Sequence, residues 1–218
     1  DRVKLALSHM GMCEEVSFSF TSPEIFDKME LPEDSSLRKA IPIMNPLTDE
    51  FPLVRTTLLG SVLENAVRNL SRKNEDIKIY DVAPVFYPKA LPLTELPREV
   101  VKVAGFMTGR RNPVGWSNDS APIDFYDAKG IVEDLLEMLE ISRYQVEAGE
   151  YTAMHPGKTA LFKKGKEVIA AVGELHPKVA ENFGITKKAY VFEMDLLTLL
   201  KYTVAKSSCT SLPRYPGI

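Results

Sequence analysis

A proline-punctuated loop that runs into an amphipathic helix is the feature that most constrains this chain. The loop contains X-Pro pairs at residues 45–46 and 51–52, and the residue before each proline is pushed toward extended geometry. The helix can therefore begin only after the loop, with Thr56 or Thr57 as its N-cap. Its apolar residues recur at three- and four-residue spacing on one face: Leu59, Val62, Leu63, Ala66, Val67 and Leu70. The sequence thus predicts a helix that packs on a core, with Arg55 delivered directly to its start.

The other predicted elements are short strands and helices in an irregular order. The predicted strands are residues 15–20, 37–43, 77–85, 100–108, 144–147, 159–163, 167–172 and 189–193. The predicted helices are residues 2–10, a short piece after Pro23, 56–72, 124–140, 177–183 and 196–201. Several strands follow one another without a helix between them, which argues against regular βαβ winding. We therefore expect an α+β fold with helices packed on an antiparallel sheet.

The composition excludes several classes of protein. The 218 residues include 44% hydrophobic and 26% charged residues, and no apolar run approaches the roughly 20 residues that span a bilayer. Cys13 and Cys209 are too few and too far apart for a disulfide framework or a zinc site. The net charge is -3, whereas a dedicated nucleic-acid binder carries an excess of positive charge. These features predict a cytoplasmic chain with no membrane or DNA partner.

The two ends favour a piece of a longer protein. The chain begins Asp-Arg-Val, without an initiator methionine or signal peptide, and ends in a Pro- and Gly-containing stretch at residues 213–218. We expect one domain over residues 1–205 and a linker over residues 206–218 that leads toward a further C-terminal domain.

Arg55 is the first candidate for chemistry. An arginine fixed at a helix start can hold a carboxylate or a phosphate with two parallel hydrogen bonds. A structural ion pair with Asp49, Glu50 or another acid explains the residue equally well. The residues alone leave both interpretations open.

Two histidine motifs and one acidic pair are weaker candidates. The HPGK motif at residues 155–158 lacks the glycine-rich run of a phosphate-binding loop, and the His-Pro pair at residues 176–177 suits a strand-to-helix corner. Acids in the DFYD motif at residues 124–127 are what a helix dipole favours at its N-terminus. The residues to which we assign structural roles are Asn45, Arg55, Asp124, Tyr126, His155, Gly157 and His176.

Several short motifs in a fixed order resemble one protein family. They are EEVSFSF at 14–20, the loop and helix at 45–70, DFYDAKG at 124–130, MHPGKTA at 154–160 and GELHP at 173–177. With them, nearly the whole chain resembles the catalytic-like module of the beta chain of bacterial-type phenylalanyl-tRNA synthetase. The resemblance implies a class II aminoacyl-tRNA synthetase-like fold, an antiparallel sheet flanked by helices.

The resemblance also implies that two ATP-binding arginines of class II synthetases are missing. The first belongs to a strand pair, and residues 85–88 read VFYP at its position. The second belongs to a glycine-rich strand that leads into a helix, and residues 170–181 offer one glycine and no arginine. Adenylate formation needs positive charge near the phosphate. The module is therefore expected to be non-catalytic.

In this family the alpha chain joins phenylalanine to its tRNA at the expense of ATP, and the beta module pairs with it in an α2β2 tetramer. The resemblance implies the alpha chain as partner and tRNA contact through the whole complex. ATP and Mg are used by the whole enzyme, and no cofactor is expected in this chain. The enzyme alternative is an active adenylate-forming or acyl-transfer enzyme on the same fold, which would use Arg55 with a second cation.

The interface signature of class II synthetases, a helix followed by a strand, corresponds here to residues 2–10 and 15–20. This stretch carries more apolar surface than one buried face requires, which favours a partner. The side chains expected at the alpha-chain interface are Leu5, Leu7, Met10, Met12, Phe18 and Phe20.

Overall fold

A seven-stranded sheet is the framework of the computed structural model, which describes residues 1–203. The strands are β1 Cys13–Glu14, β2 Phe20–Thr21, β3 Ile41–Pro42, β4 Leu53–Val54, β5 Ile77–Tyr87, β6 Arg98–Thr108, β7 Gln145–Ala148, β8 Met154–Lys164, β9 Glu167–Leu175 and β10 Ala189–Asp195. The large sheet has the order β1-β5-β6-β10-β9-β8-β7, and all neighbours are antiparallel except β1 and β5. The predicted antiparallel sheet is confirmed. Strands β2, β4 and β3 form a small second sheet.

Helices cover both sides of the large sheet. They are α1 Arg2–His9, α2 Glu24–Lys28, α3 Leu59–Ser71, α4 Phe125–Met138, α5 Pro177–Phe183 and α6 Leu196–Leu200, with one 3-10 turn at Ser36–Arg38. In the part of the chain that the structure describes, no helix is both long enough and apolar enough to cross a membrane.

The large sheet has two distinct faces, because side chains alternate along each strand. On one side, which we call the α4 face, helices α1, α4 and α6 pack against side chains such as Phe162 and Phe192. On the opposite side, the α3 face, helices α2, α3 and α5 pack against side chains such as Ile79 and Phe106. Each face therefore has a hydrophobic core of its own.

The strand predicted at residues 15–20 is wrong, because the chain leaves the large sheet between β1 and β2. The backbone amide of Arg55 donates to the Ser19 carbonyl at 2.9 Å, and the Arg55 guanidinium donates to the Phe18 carbonyl at 3.2 Å. These hydrogen bonds from Arg55 hold the segment away from the edge of the large sheet.

The strand predicted at residues 37–43 is reduced to β3. The Ser35 hydroxyl accepts a hydrogen bond from the Leu37 amide at 3.3 Å. The Arg38 guanidinium donates to the Leu31 carbonyl at 2.7 Å and to the Pro32 carbonyl at 3.0 Å. These local bonds favour the 3-10 turn over an extended strand.

Helix α3 begins at Leu59 rather than at Thr56. Thr56 and Thr57 are both buried, and the Thr56 hydroxyl donates to the Leu37 carbonyl instead of accepting from the helix. The N-cap is Leu58, without a side-chain cap. The predicted apolar face is confirmed by its buried residues, Leu59, Val62, Leu63 and Ala66.

The remaining predicted helices and strands are present, with ends that move by a few residues. The hairpin between β8 and β9 turns at Gly165, whose φ of 63° is a conformation that glycine adopts without strain. Cys209 and the linker predicted at residues 206–218 lie outside the described residues.

Candidate functional site

Arg55 lies in a buried group formed by Arg55, Ser17 and Asp81, which we call the Arg55 cluster. The Arg55 side chain is 2% exposed, and its Nη1 atom lies 3.8 Å from Asp81 Oδ2. Nη1 donates to Ser17 Oγ at 2.7 Å, Ser17 Oγ donates to the Asp81 carboxylate, and Nε donates to the Pro84 carbonyl at 2.9 Å. Burial lowers the pKa of Arg55, and the Asp81 and Glu15 carboxylates counteract this effect because they favour the charged guanidinium.

This geometry supports a structural role for Arg55, and it identifies the acid, which the sequence left open among Asp49, Glu50 and another residue. The paired acid is Asp81 on β5, whereas Asp49 and Glu50 are exposed in the loop. The guanidinium joins the segment before β2 to β5 and is almost completely buried. The enzyme alternative therefore loses the cation on which it depended.

A second buried ionic group on the α3 face consists of Lys102 on β6, Glu193 on β10 and Tyr151, and we call it the Lys102 cluster. Lys102 Nζ donates to Glu193 Oε2 at 2.9 Å, and the Tyr151 hydroxyl donates to the same oxygen at 2.6 Å. The Lys102 and Glu193 side chains are 12% and 4% exposed. Burial opposes the charge on Lys102, but the Glu193 carboxylate outweighs it, so the Lys102 pKa is raised. Burial, reinforced by Glu193, raises the pKa of Tyr151 well above its usual value, so the hydroxyl stays protonated.

The strand pair that corresponds to the first ATP-binding signature is present as β5 and β6. The two strands pair from Ile77 opposite Thr108 to Tyr87 opposite Arg98. Two strand-to-helix junctions follow, β9 to α5 and β10 to α6. Sequence analysis considered only the first of them, although β10 lies directly beside β6. Neither residues 167–183 nor residues 189–200 contain an arginine.

The predicted interface residues divide into buried and exposed sets. Leu7 and Met12 are 0% and 3% exposed and belong to the core of the α4 face. The interface prediction is corrected at these two positions, because Leu7 on α1 and Met12 after it pack into the chain's own core. Leu5, Phe18 and Phe20 are exposed, at 59%, 77% and 41%, and Met10 is partly buried against the same core.

Asp124, to which the sequence assigns a structural role at the start of a helix, is the N-cap of α4. Its carboxylate accepts from the amides of Tyr126 at 2.8 Å and Asp127 at 3.1 Å, and the Asp127 carboxylate accepts from the Asp124 amide at 2.7 Å. Arg111 donates to Asp124 at 2.9 Å and to Asp127 at 2.8 Å. Both carboxylates of the acidic pair are therefore hydrogen-bonded at the start of α4. The Tyr126 ring is 74% exposed, so only the backbone of this residue takes part in the cap.

His155 and His176 each close a local turn through Nδ1. His155 accepts from the Gly157 amide at 3.0 Å, and His176 accepts from the Lys178 amide at 3.2 Å at the start of α5. The two ring centroids lie 6.3 Å apart. Over residues 1–203, no group of three or more His, Cys, Asp or Glu side chains could hold a metal ion.

Asn45 is exposed in the loop between β3 and β4. The Ile43 amide donates to the Pro52 carbonyl at 2.9 Å, so the backbone holds the ends of this loop together.

Sequence analysis missed Asp81, Lys102 and Glu193. Each is a charged residue with an apolar or aromatic neighbour on either side in its strand. Charged residues are almost never fully buried unless they are paired. This signal could have indicated ion pairs between strands, but it does not identify the partners.

The fold and the strand pair define the class of protein. Two solved structures of the pyrrolysyl-tRNA synthetase from Desulfitobacterium hafniense match this chain with TM-scores of 0.67 and 0.66 and sequence identities of 16% and 17%. Each match covers 91% of this chain, and 63% and 66% of the respective solved chains. At this identity the likeness concerns the fold alone, which is that of a class II aminoacyl-tRNA synthetase.

Comparison of sequences narrows this class to one family. The model of the phenylalanyl tRNA synthetase beta chain CLM domain matches residues 1–196, and the chain belongs to that family. Phenylalanine–tRNA ligase beta subunits of Geobacter sulfurreducens and Clostridium acetobutylicum are 37% and 36% identical to it, over 94% and 100% of the chain. The chain spans 26% of the length of each of these relatives.

Proposed function

We propose that this chain is the non-catalytic, synthetase-like module of a phenylalanine–tRNA ligase beta chain and that it pairs with the catalytic alpha chain. In this proposal the module extends over residues 1–205 and holds no cofactor. The whole enzyme is a cytoplasmic α2β2 tetramer that uses ATP and Mg to attach phenylalanine to its tRNA.

One observation carries the proposal. On the α3 face, buried cations are already paired with acids of the same chain. Arg55 is paired with Asp81, and Lys102 is paired with Glu193. A phosphate that took either cation would leave a buried carboxylate unpaired, at a cost of about 3 kcal/mol or more. An adenylating site instead needs preorganised positive charge that is available to the nucleotide. These internal pairs support a structural module rather than an active enzyme.

Exposed apolar side chains support the pairing with the alpha chain. Val16, Phe18 and Phe20 alternate along the segment between β1 and β2, and they are 89%, 77% and 41% exposed. Alternate residues of an extended segment point to the same side. Such a row of exposed apolar side chains marks a surface for a protein partner.

Binding to the alpha chain tests this surface directly. Wild-type chain and purified alpha chain should elute together in size-exclusion chromatography. Phe18→Asp should abolish co-elution, whereas Met44→Asp should not, although Met44 is itself 94% exposed in another loop. Circular dichroism checks that both variants stay folded. Co-elution of folded Phe18→Asp with the alpha chain would move the interface elsewhere.

Pyrophosphate exchange tests the absence of catalysis. We expect no phenylalanine-dependent exchange by this chain alone and exchange when the alpha chain is present. Exchange by the pure chain that is lost in Arg55→Ala would overturn the proposal and favour the enzyme alternative.

A further inference from the structure

Strand β7 forms one edge of the large sheet, and its outer side has no partner among the described residues. It stands last in the strand order and pairs only with β8. All four of its residues are exposed. The strand contains no proline, and no bulge interrupts its pairing with β8. Unpaired backbone groups at such an edge can pair with a further strand. Because β7 is short, a specific partner needs contacts beyond the backbone.

Two residues of β7 direct their backbone groups away from the sheet. The Gly149 amide donates to the Thr159 carbonyl at 3.3 Å, which makes these facing residues a hydrogen-bonded pair. Hydrogen-bonded and non-hydrogen-bonded pairs alternate along an antiparallel ladder. Glu147 therefore bonds to β8, whereas Val146 and Ala148 turn their amides and carbonyls outward. This spacing is the one that an added strand requires.

An apolar groove lies beside these outward groups, between β7 and the start of α4. Val146 stands opposite Phe162, which belongs to the core of the α4 face, so the side chains of Val146 and Ala148 lie on that face. Together with Phe125 and Tyr126 they line a cavity of about 460 Å³, which we call the β7 groove. One water molecule occupies only about 30 Å³. A strand added to β7 would place alternate side chains over this groove.

The Tyr126 side chain forms an aromatic wall of the β7 groove. Only the backbone of Tyr126 takes part in the cap of α4, and its ring is 74% exposed. The ring meets Phe125 edge to face, with the centroids 5.6 Å apart. Tyrosine is enriched at interfaces because one end of its side chain is apolar and the other polar. The exposed ring therefore favours a partner in the groove.

The charged side chains that line the β7 groove are all paired within the chain. The ion pairs are Lys129–Glu133, Lys163–Glu147 and Lys158–Glu174. The groove thus offers no free cation for a phosphate and no free acid for a basic segment. Nucleic-acid binding depends on such free cations. The chemistry of the groove fits an extended, uncharged polypeptide segment with an apolar side chain.

The position of β7 favours a different partner from the one proposed at residues 16–20. Those residues follow β1, which is the opposite edge of the seven-stranded sheet. Six strand spacings of about 4.8 Å separate the two edges by about 30 Å. The chain spans 26% of the length of its beta-subunit relatives, so most of a beta chain lies outside it. A segment of the same polypeptide is present at high effective concentration and can use even a short edge.

We propose that an extended, uncharged segment of the beta chain from outside residues 1–218 pairs with β7 and places an apolar side chain in the β7 groove beside Tyr126. The inference goes beyond pairing with the alpha chain, but it rests on the proposed function, in which this chain is one module of a longer beta chain. Hydrogen bonds to the backbone of Val146 and Ala148 hold the segment, and the groove selects its side chain.

Amide hydrogen exchange, measured by mass spectrometry at residue resolution, tests this pairing. The 218-residue chain is compared with the full-length beta chain that carries it, both without the alpha chain. The amides of Val146 and Ala148 should exchange at least about tenfold more slowly in the full-length chain, because they gain hydrogen bonds. The Glu147 amide, which already bonds to β8, should be protected in both proteins and serves as the internal control.

Two variants of the full-length beta chain separate strand pairing from simple coverage. Ala148→Pro removes one outward amide, and an edge strand tolerates proline where the N–H faces solvent. Val146 should then exchange as fast as in the 218-residue chain. The matched control Ala148→Ser keeps the amide and should keep the protection. Tyr126→Ser leaves the backbone of β7 unchanged and should also reduce the protection of Val146. Protection of Glu147 checks that β7 still pairs with β8 in each variant.

Each contrary outcome identifies a different occupant of the edge. Equal exchange of Val146 in the 218-residue chain and the full-length chain would overturn the inference. Protection that appears only when the alpha chain is added would assign β7 to the alpha chain. Protection in the 218-residue chain that grows with its concentration would assign β7 to a second copy. Protection that survives both Ala148→Pro and Tyr126→Ser would show coverage without strand pairing. Each of the last three results would also overturn the inference.

The proposed function is tested separately from this inference. None of the exchange results changes the expected co-elution with the alpha chain, which depends on residues 16–20 at the other edge of the sheet. A failed co-elution would contradict the proposed function and leave the exchange result readable, because that result is obtained without the alpha chain.

Discussion

The two faces of the large sheet are both buried, but they differ in chemistry. The α4 face is a hydrophobic contact between the sheet and three helices. The α3 face holds the four buried charged residues of the described chain, which are Glu15, Arg55, Asp81 and Glu193. Burial of apolar area stabilises the first face without requiring specific partners. The second face has a hydrophobic core as well, and its buried charges in addition need partners from distant parts of the chain.

This difference indicates which face carries the features specific to this module. Apolar packing tolerates many substitutions that keep volume and pattern, so the α4 face specifies the fold. Buried ion pairs add little net stability compared with apolar residues of similar size, but removal of one partner is costly. The ionic groups of the α3 face therefore specify which distant segments pair more than they add stability.

The largest expected effect lies on the apolar face. Phe162 is 0% exposed, and its ring centroid lies 5.5 Å from that of Tyr144. Phe162→Ala should lower the free energy of unfolding by about 4 kcal/mol, because it removes buried area and leaves a cavity. Urea denaturation measures this loss. Val168→Ala, at a 38% exposed position on β9, should cost less than about 1 kcal/mol. Equal losses in the two variants would show that the α4 face is not a close-packed core.

Removal of the buried arginine should have the next largest effect. Arg55→Met should cost about 3 kcal/mol, because in a buried site Asp81 loses its cation, and the Ser17 hydroxyl and two backbone carbonyls lose a donor. The matched control is Arg111→Met, whose two ion pairs lie at a side chain that is 40% exposed. That change should cost less than about 1 kcal/mol. Similar unfolding midpoints for the two variants would contradict the contrast drawn between buried and surface charges.

Glu15 should make the α3 face sensitive to pH. Burial raises its folded pKa from the ordinary value of 4.5 to about 8, so the native chain keeps a proton that the unfolded chain gives up. The resulting stability is fully present below about pH 4.5 and is lost as the pH rises through about 8, on the order of 2 kcal/mol. Unfolding free energies of wild type and Glu15→Gln should therefore diverge with rising pH. A difference that is constant with pH would refute the assigned titration.

The smallest effect is expected when both charges of the Lys102 cluster are removed together. Lys102→Met alone should cost about 2 kcal/mol, because Glu193 loses its cation in a buried site. The double variant Lys102→Met/Glu193→Gln should stay within about 1 kcal/mol of wild type, since the glutamine oxygen still accepts from Tyr151. A double-mutant cycle from thermal unfolding measures the difference. A double variant that is less stable than the single one would show that the ion pair itself stabilises the sheet.

The sequence predicts most of the α4 face and of the helices, because their signals are local. Helix α4 is an example, since the spacing of its apolar residues and the cap at Asp124 are both visible within one segment. The sequence failed at residues 15–20, where contacts with Arg55 override the local preference. It also could not name the acid that pairs with Arg55. Asp49 and Glu50 are closer to Arg55 in the sequence, but Asp81 is the acid that lies beside it in the fold.

The ionic groups on the strands were beyond prediction for a similar reason. Lys102 and Glu193 meet because β6 and β10 are neighbours in a particular register. Register depends on the whole pattern of alternating side chains and on the connections between strands. A charged residue between apolar neighbours in a strand carries no information about which neighbouring strand will supply its partner.

The long reach of Arg55 has a consequence for the lifetime of the folded chain. Its side chain binds residues that lie 38 and 29 positions away, at Ser17 and Pro84. Contacts of such separation require loops to close before they can form, so they belong to the late part of folding. Interactions that are absent from the folding transition state slow unfolding and leave the folding rate nearly unchanged. We therefore expect Arg55 to prolong the lifetime of the folded chain rather than to speed its formation.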